Sequence, residues 1–216
     1  MNLDWIYSNT EKATRIKHLL KEEFTRTPAE YDFFLGCYGN PDAEVVLVPE
    51  IPSLTAKEIV AEAYCKQPER LWTTAWKVTV PDLLFRIALY RNGMIDDPLS
   101  DSPWDWKCWV TDFVKHAEYT KSWKHMDKNE RTEEIKRSAK VLGRELEILN
   151  QEPNPIRCVI FVGKKSESYF QDYLEGPNYK WQFNRKSVKH YAWAKSEEQR
   201  EMFFNEFEKA IKGCCK

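Results

Sequence analysis

The run Val45-Val46-Leu47-Val48 constrains the fold of this chain more than any other stretch. It is continuous and apolar, and mostly β-branched, as expected of a strand covered on both faces in a parallel sheet. Gly39-Asn40-Pro41-Asp42 precedes it. That is turn chemistry, since Gly and Asn tolerate unusual φ and Pro fixes it. Pro49-Glu50-Ile51-Pro52-Ser53 follows it. Open α/β sheets place their ligands at the carboxyl ends of such strands, so Glu50 to Ser53 is the first segment to consider for function.

Helical and extended signals alternate along the rest of the chain. In residues 11–24, Ile16, Leu19, Leu20 and Phe24 recur at helical spacing, with Thr10 as an N-cap. Thr55 and Glu58 make a capping-box pattern that opens a helix towards Cys65. Residues 81–90 read as a helix with Pro81 in its first turn and a break at Asn92-Gly93. Residues 95–106 are turn-rich and predict a surface loop. Further helices are predicted at 129–149, 166–174 and 196–212, and further strands at 108–114, 158–162 and 187–191. This alternation predicts an α/β fold of three layers, α/β/α, around a central, mostly parallel four-stranded sheet. At 216 residues a single domain over 1–216 is expected, with residues 1–30 as an N-terminal helical extension.

With 42% hydrophobic and 31% charged residues, the chain reads as a soluble globular protein. Its net charge of -1 does not favour a nucleic-acid binder, yet a local basic patch is compatible with it. Nine Trp are many for one chain. They serve either packing or base stacking, where each stacked base is worth roughly 1–3 kcal/mol. None of the six cysteines forms a Cys-x-x-Cys pair. Cys158 reads as a small core residue and Cys214-Cys215 as a reduced tail. With no signal peptide and no apolar run near a membrane span, a cytoplasmic, reducing setting and no membrane partner are expected. No spacing suggests a metal site.

Four segments, in order, resemble the uracil-DNA glycosylase superfamily over roughly residues 31–210. Tyr38 to Ser53 is similar to the first active-site motif of its bacterial and archaeal branches: Gly-Tyr-Gly-Asp-Pro-Asp-Ala, an apolar strand, then Gly-Glu-Ala-Pro-Gly. Thr111-Asp112-Phe113-Val114-Lys115 resembles a Thr-Asn-x-x-Lys segment. Pro155 to Lys165 resembles a Pro-x-x-Ile-x-x-x-Gly strand and loop. His190-Tyr191-Ala192 stands where the family has His-Pro-Ser. The order and spacing of these segments carry the resemblance. It implies a DNA glycosylase-like hydrolase that cleaves the N-glycosidic bond of a deaminated or modified base, with DNA as partner and no cofactor. Some relatives bind an iron–sulfur cluster. The early cysteines for it are missing, so none is expected, and a monomer is.

Carried onto this chain, the resemblance makes His190 the donor to the departing base and Glu50 the group on the side of the attacking water. Tyr191-Ala192 lacks the rigid Pro and the hydroxyl, which puts the donor geometry in question. Ile51 stands where the best-known members have a catalytic Asp, and an aliphatic residue cannot activate water. Pro49 and Ser53 replace glycines and stiffen the loop. Asp112 stands at the base-reading Asn. An ionised Asp only accepts hydrogen bonds, so it would favour an amino-bearing base over uracil. Phe34, Tyr38 and Ser53 are the remaining base-binding candidates. Gly163, Lys164 and Lys165 close a strand and open a helix, which suits phosphate. Lys186, Lys189 and Lys195 flank His190 in sequence. Each of these residues also has a plain reading as core, cap or solvated surface. The alternative is a catalytically degenerate member that binds nucleic acid, a nucleotide or a protein partner, its pocket filled by Ile51 or Tyr191.

Overall fold

The computed structural model describes residues 10–23, 37–50, 80–98, 106–115, 126–177 and 179–214. Within them, Cys37–Gly39 (β1), Val45–Pro49 (β2), Trp109–Thr111 (β3), Cys158–Val162 (β4) and Asn184–Val188 (β5) form one sheet in the order β1-β3-β2-β4-β5. β3, β2, β4 and β5 are mutually parallel, the four-stranded parallel sheet expected from the sequence. The short β1 adds an antiparallel edge to β3. Gly39 there has φ +103, and a Cβ would meet the Cys108 carbonyl oxygen at 2.5 Å, so only glycine fits.

The helices are α1 (Glu11–Glu23), α2 (Val80–Arg91), α3 (Lys128–Leu149), α4 (Lys164–Leu174) and α5 (Glu197–Cys214), with a 3₁₀ turn at Tyr191–Trp193. They cover both faces of the sheet. Val46, Val48, Trp109, Val159 and Phe161 face α1, α3 and α4. Leu47, Val110, Ile160, Val162 and Val188 face α2 and α5. Both sets are apolar, so each central strand reads as a continuous run rather than an alternation. α1 belongs to this core: Ala13, Ile16 and Leu20 are fully buried. Its buried Lys12 donates to the carbonyls of Leu149 (2.8 Å) and Asn154 (2.5 Å), capping the end of α3. At its start, α3 has a capping box between Asp127 and Glu130.

Two strands differ from their predicted extents. β3 ends at Thr111 rather than Val114, and beyond it the successive Phe113 and Val114 amides bond the carbonyls of Pro49 (2.8 Å), the last residue of β2, and Glu50 (2.9 Å). β5 begins at Asn184 rather than Ser187 and ends before His190. Its exposed Asn-Arg-Lys start carries no strand signal. The predicted helix from Thr55 to Cys65 lies outside the described residues.

Cys158, at the amino end of β4, and Cys214, in the last turn of α5, form a disulfide. Cys214 is therefore not a reduced tail residue, and Cys158 is a cross-link as well as a core side chain. Cys108 is free and buried. Among the described residues, no helix is long and apolar enough to cross a membrane.

The bond closes a loop with a sequence separation of 56. Cys214→Ala should lower the unfolding free energy by about 4 kcal/mol through loop-closure entropy. Denaturant unfolding with and without reductant checks this: reduction should weaken the wild type and leave the variant unmoved.

Candidate functional site

Strand register brings the candidate segments to one edge of the sheet. Pro49 pairs with Val162, and Val162 with Val188. Glu50, Gly163 and the Lys189-His190 pair therefore leave the sheet at neighbouring positions. On the other flank Leu47 pairs with Val110, which sets Asp112 at the same level. Asp112 is buried, at 4% exposure. The Phe113 and Val114 amides tie its loop to the Glu50 loop.

Glu50 is mostly buried, and its Oε1 pairs with the Lys165 ammonium at 3.0 Å. Lys165 is in the first turn of α4, directly after β4. Tyr169, one helical turn on, packs on Phe113 with ring centroids 5.4 Å apart. Burial, and then the Glu50 charge, push the Tyr169 phenol up to about 12. Lys165 and Tyr169 lie four residues apart, so one face of α4 meets Glu50. The sequence reading overlooked Tyr169. The i, i+4 relation to Lys165 was its only signal.

His190 is half-buried and caps the 3₁₀ turn, where its Nδ1 accepts the Ala192 amide at 3.1 Å. A nitrogen that accepts carries no proton, so the neutral ring holds its proton on Nε2. Burial, followed by the Lys165 charge, lowers the His190 pKa to about 4. The ring stacks on Tyr191 at 4.3 Å, and Tyr191 stacks on Phe85 at 5.1 Å. Tyr191 is thus buried in the α2–α5 core, where it anchors the turn.

Gly163 makes room for this histidine. It has φ +106, and a Cβ would lie 3.3 Å from the His190 Cβ. Its amide donates to the Val188 carbonyl at 2.8 Å. The Gly163 amide and the Lys165 ammonium, both assigned to phosphate from the sequence, are therefore engaged within the fold. Lys164 is exposed. Lys189 stands over the Trp193 ring at 4.8 Å, beside His190. Lys186 instead lies along Gly213, near the far end of α5.

Phe34, Ile51 and Ser53 lie outside the described residues, and of Tyr38 only the backbone, in β1, is described. Among the described residues no group of His, Cys, Asp and Glu is placed to hold a metal. No family model and no curated protein matches the chain.

Because the fold holds His190 neutral, its contribution to stability is complete above pH 6.5 and is lost as pH falls towards 4. The unfolded chain takes up the proton first. The NMR titration of His190 should have its midpoint near 4, and His190→Gln should flatten the stability profile between these pH values. Gly163→Ala should cost about 1–3 kcal/mol, from a side chain at positive φ. It should also raise the His190 midpoint by displacing the ring, and the same titration checks this.

Proposed function

We propose that this chain is a glycosylase-like hydrolase acting on a deaminated or modified base in DNA. The observation that carries this reading is His190, a neutral imidazole with its proton on Nε2, held at the carboxyl edge of the sheet. In such a reaction the base leaves the stack and enters a pocket. The glycosidic electrons go to the base as the C–N bond breaks. The His190 Nε2–H donates a hydrogen bond to the anion that develops. A water attacks the anomeric carbon on the side of Glu50 and gives up its proton to that carboxylate. The nearby Lys165 adds positive potential for the departing base. Asp112 reads the base and favours an amino group over a carbonyl.

One observation favours the second reading, a binding protein without turnover. Glu50 already holds Lys165 at 3.0 Å, so one of its two carboxylate oxygens is engaged in the resting protein. On that reading the same edge binds a nucleotide or nucleic acid and leaves it intact. Action on DNA suits the cytoplasmic setting expected from the sequence. The Cys158–Cys214 bond argues the other way, since such bonds are rare where thiols are kept reduced.

The test is cleavage of labelled oligonucleotides carrying uracil, hypoxanthine, xanthine or an alkylated base, single- and double-stranded. Abasic-site formation should fall about 10²–10³-fold in His190→Ala. An amino-bearing or alkylated base should be preferred to uracil, and Asp112→Asn should reverse that preference. A folded protein that cleaves none of these substrates supports the binding reading instead.

A further inference from the structure

Beneath the candidate site lies a charged cluster that plays no part in the reading above. Glu145, on α3, and Lys115, just past β3, are both fully buried and pair at 2.5 Å through Oε2 and Nζ. The other carboxylate oxygen of Glu145 accepts from Trp109 Nε1 and Thr111 Oγ1, each at 2.7 Å. The Lys115 ammonium also donates to Thr111 Oγ1. The Lys115 amide donates to the buried Ser138 hydroxyl at 3.3 Å. Neither charge reaches solvent, so neither can meet a ligand.

We propose that the Lys115–Glu145 pair is a positioning device that clamps both ends of the Thr111–Lys115 turn and so fixes Asp112 beside the Glu50 loop. The geometry carries this. Thr111 and Lys115 bracket the turn, and both are held by one carboxylate on α3. Between them, the Phe113 and Val114 amides reach Pro49 and Glu50. The turn is thereby fastened to α3 below and to the Glu50 loop beside it. Global stability is a poor account of the pair, because an apolar pair of similar volume generally serves a core equally well. What an apolar pair cannot supply is directional bonding to both ends of a short turn. The clamp stands whether or not the site cleaves a base. Only its consequence for base choice rests on the reading above.

Amide hydrogen exchange, followed by NMR on the whole chain, tests the clamp without any ligand. The variants are Lys115→Met/Glu145→Gln, which removes both charges and keeps an acceptor for Trp109 and Thr111, and the milder Thr111→Val. The Val159 and Ile160 amides of β4 report global opening. Exchange at Phe113 and Val114 should rise at least about tenfold in the double variant relative to those β4 amides, with a smaller rise in the same direction for Thr111→Val. Unchanged exchange at Phe113 and Val114 would overturn the proposal. So would an equal acceleration throughout β4, which would make the pair a general stabiliser. If the double variant does not fold, Thr111→Val decides by the same comparison. A clamp confirmed in a protein that cleaves nothing would leave the positioning role intact and remove only the glycosylase reading.

Discussion

The parallel pairing of β2 with β4 sets the position of everything else at the site. Both strands are apolar on both faces, so hydrophobicity alone would penalise a one-residue slip only weakly. The register is fixed at the ends. Between β2 and β4, the Arg157 amide bonds the Glu44 carbonyl at 2.8 Å and the Arg157 side chain pairs with the Glu44 carboxylate at 3.0 Å. Between β4 and β5, the Asn184 amide bonds the Arg157 carbonyl below and the Gly163 amide bonds the Val188 carbonyl above, each at 2.8 Å. A slip would also swap Phe161 away from Phe170, whose ring it meets at 4.9 Å. With those ends fixed, Glu50, Gly163 and His190 have one relative arrangement, and the loop after β3 is pulled into it by the carbonyls of Pro49 and Glu50.

The turn that holds His190 is rigid for a different reason from the one a proline would supply. Tyr191 is sandwiched between the His190 ring and Phe85, with Phe203 at its edge. Ala192 contributes only its amide, which fixes the imidazole tautomer. Packing thus does the work of a constrained ring. Tyr191 is the residue that anchors this turn to the core. The same turn depends on Gly163 from the other side, because any Cβ there would push on the histidine.

Much of this frame was legible because burial and chain direction leave local marks. Val45–Val48 and Cys158–Val162 are short apolar runs bounded by Pro and Gly, and both are strands. The i, i+3, i+4 patterns in 11–23, 129–149 and 196–212 lie on helices that pack through those faces. The start of β5 escaped because exposed Asn184, Arg185 and Lys186 carry no apolar signal. The disulfide escaped because Cys158 and Cys214 have no telling spacing; only the antiparallel return of α5 alongside β4 and β5 brings them together. The Lys115–Glu145 pair escaped for the same reason. Thirty residues separate its members, and each alone reads as an ordinary charged surface residue.

The charges at the site divide their roles. A protonated His190 would place a second cation near Lys165, whose charge already disfavours the protonated ring. Keeping the imidazole neutral removes that repulsion and leaves the positive potential to Lys165, with His190 supplying a directional donor. Glu50 holds Lys165 in place through one oxygen. An arriving anion, whether a developing base anion or a phosphate, would become the second partner of Lys165 and loosen its hold on Glu50. The ion pair that favours the binding reading in the resting protein is therefore compatible with turnover once a substrate is bound. The two readings part over what happens to Glu50 after the anion arrives.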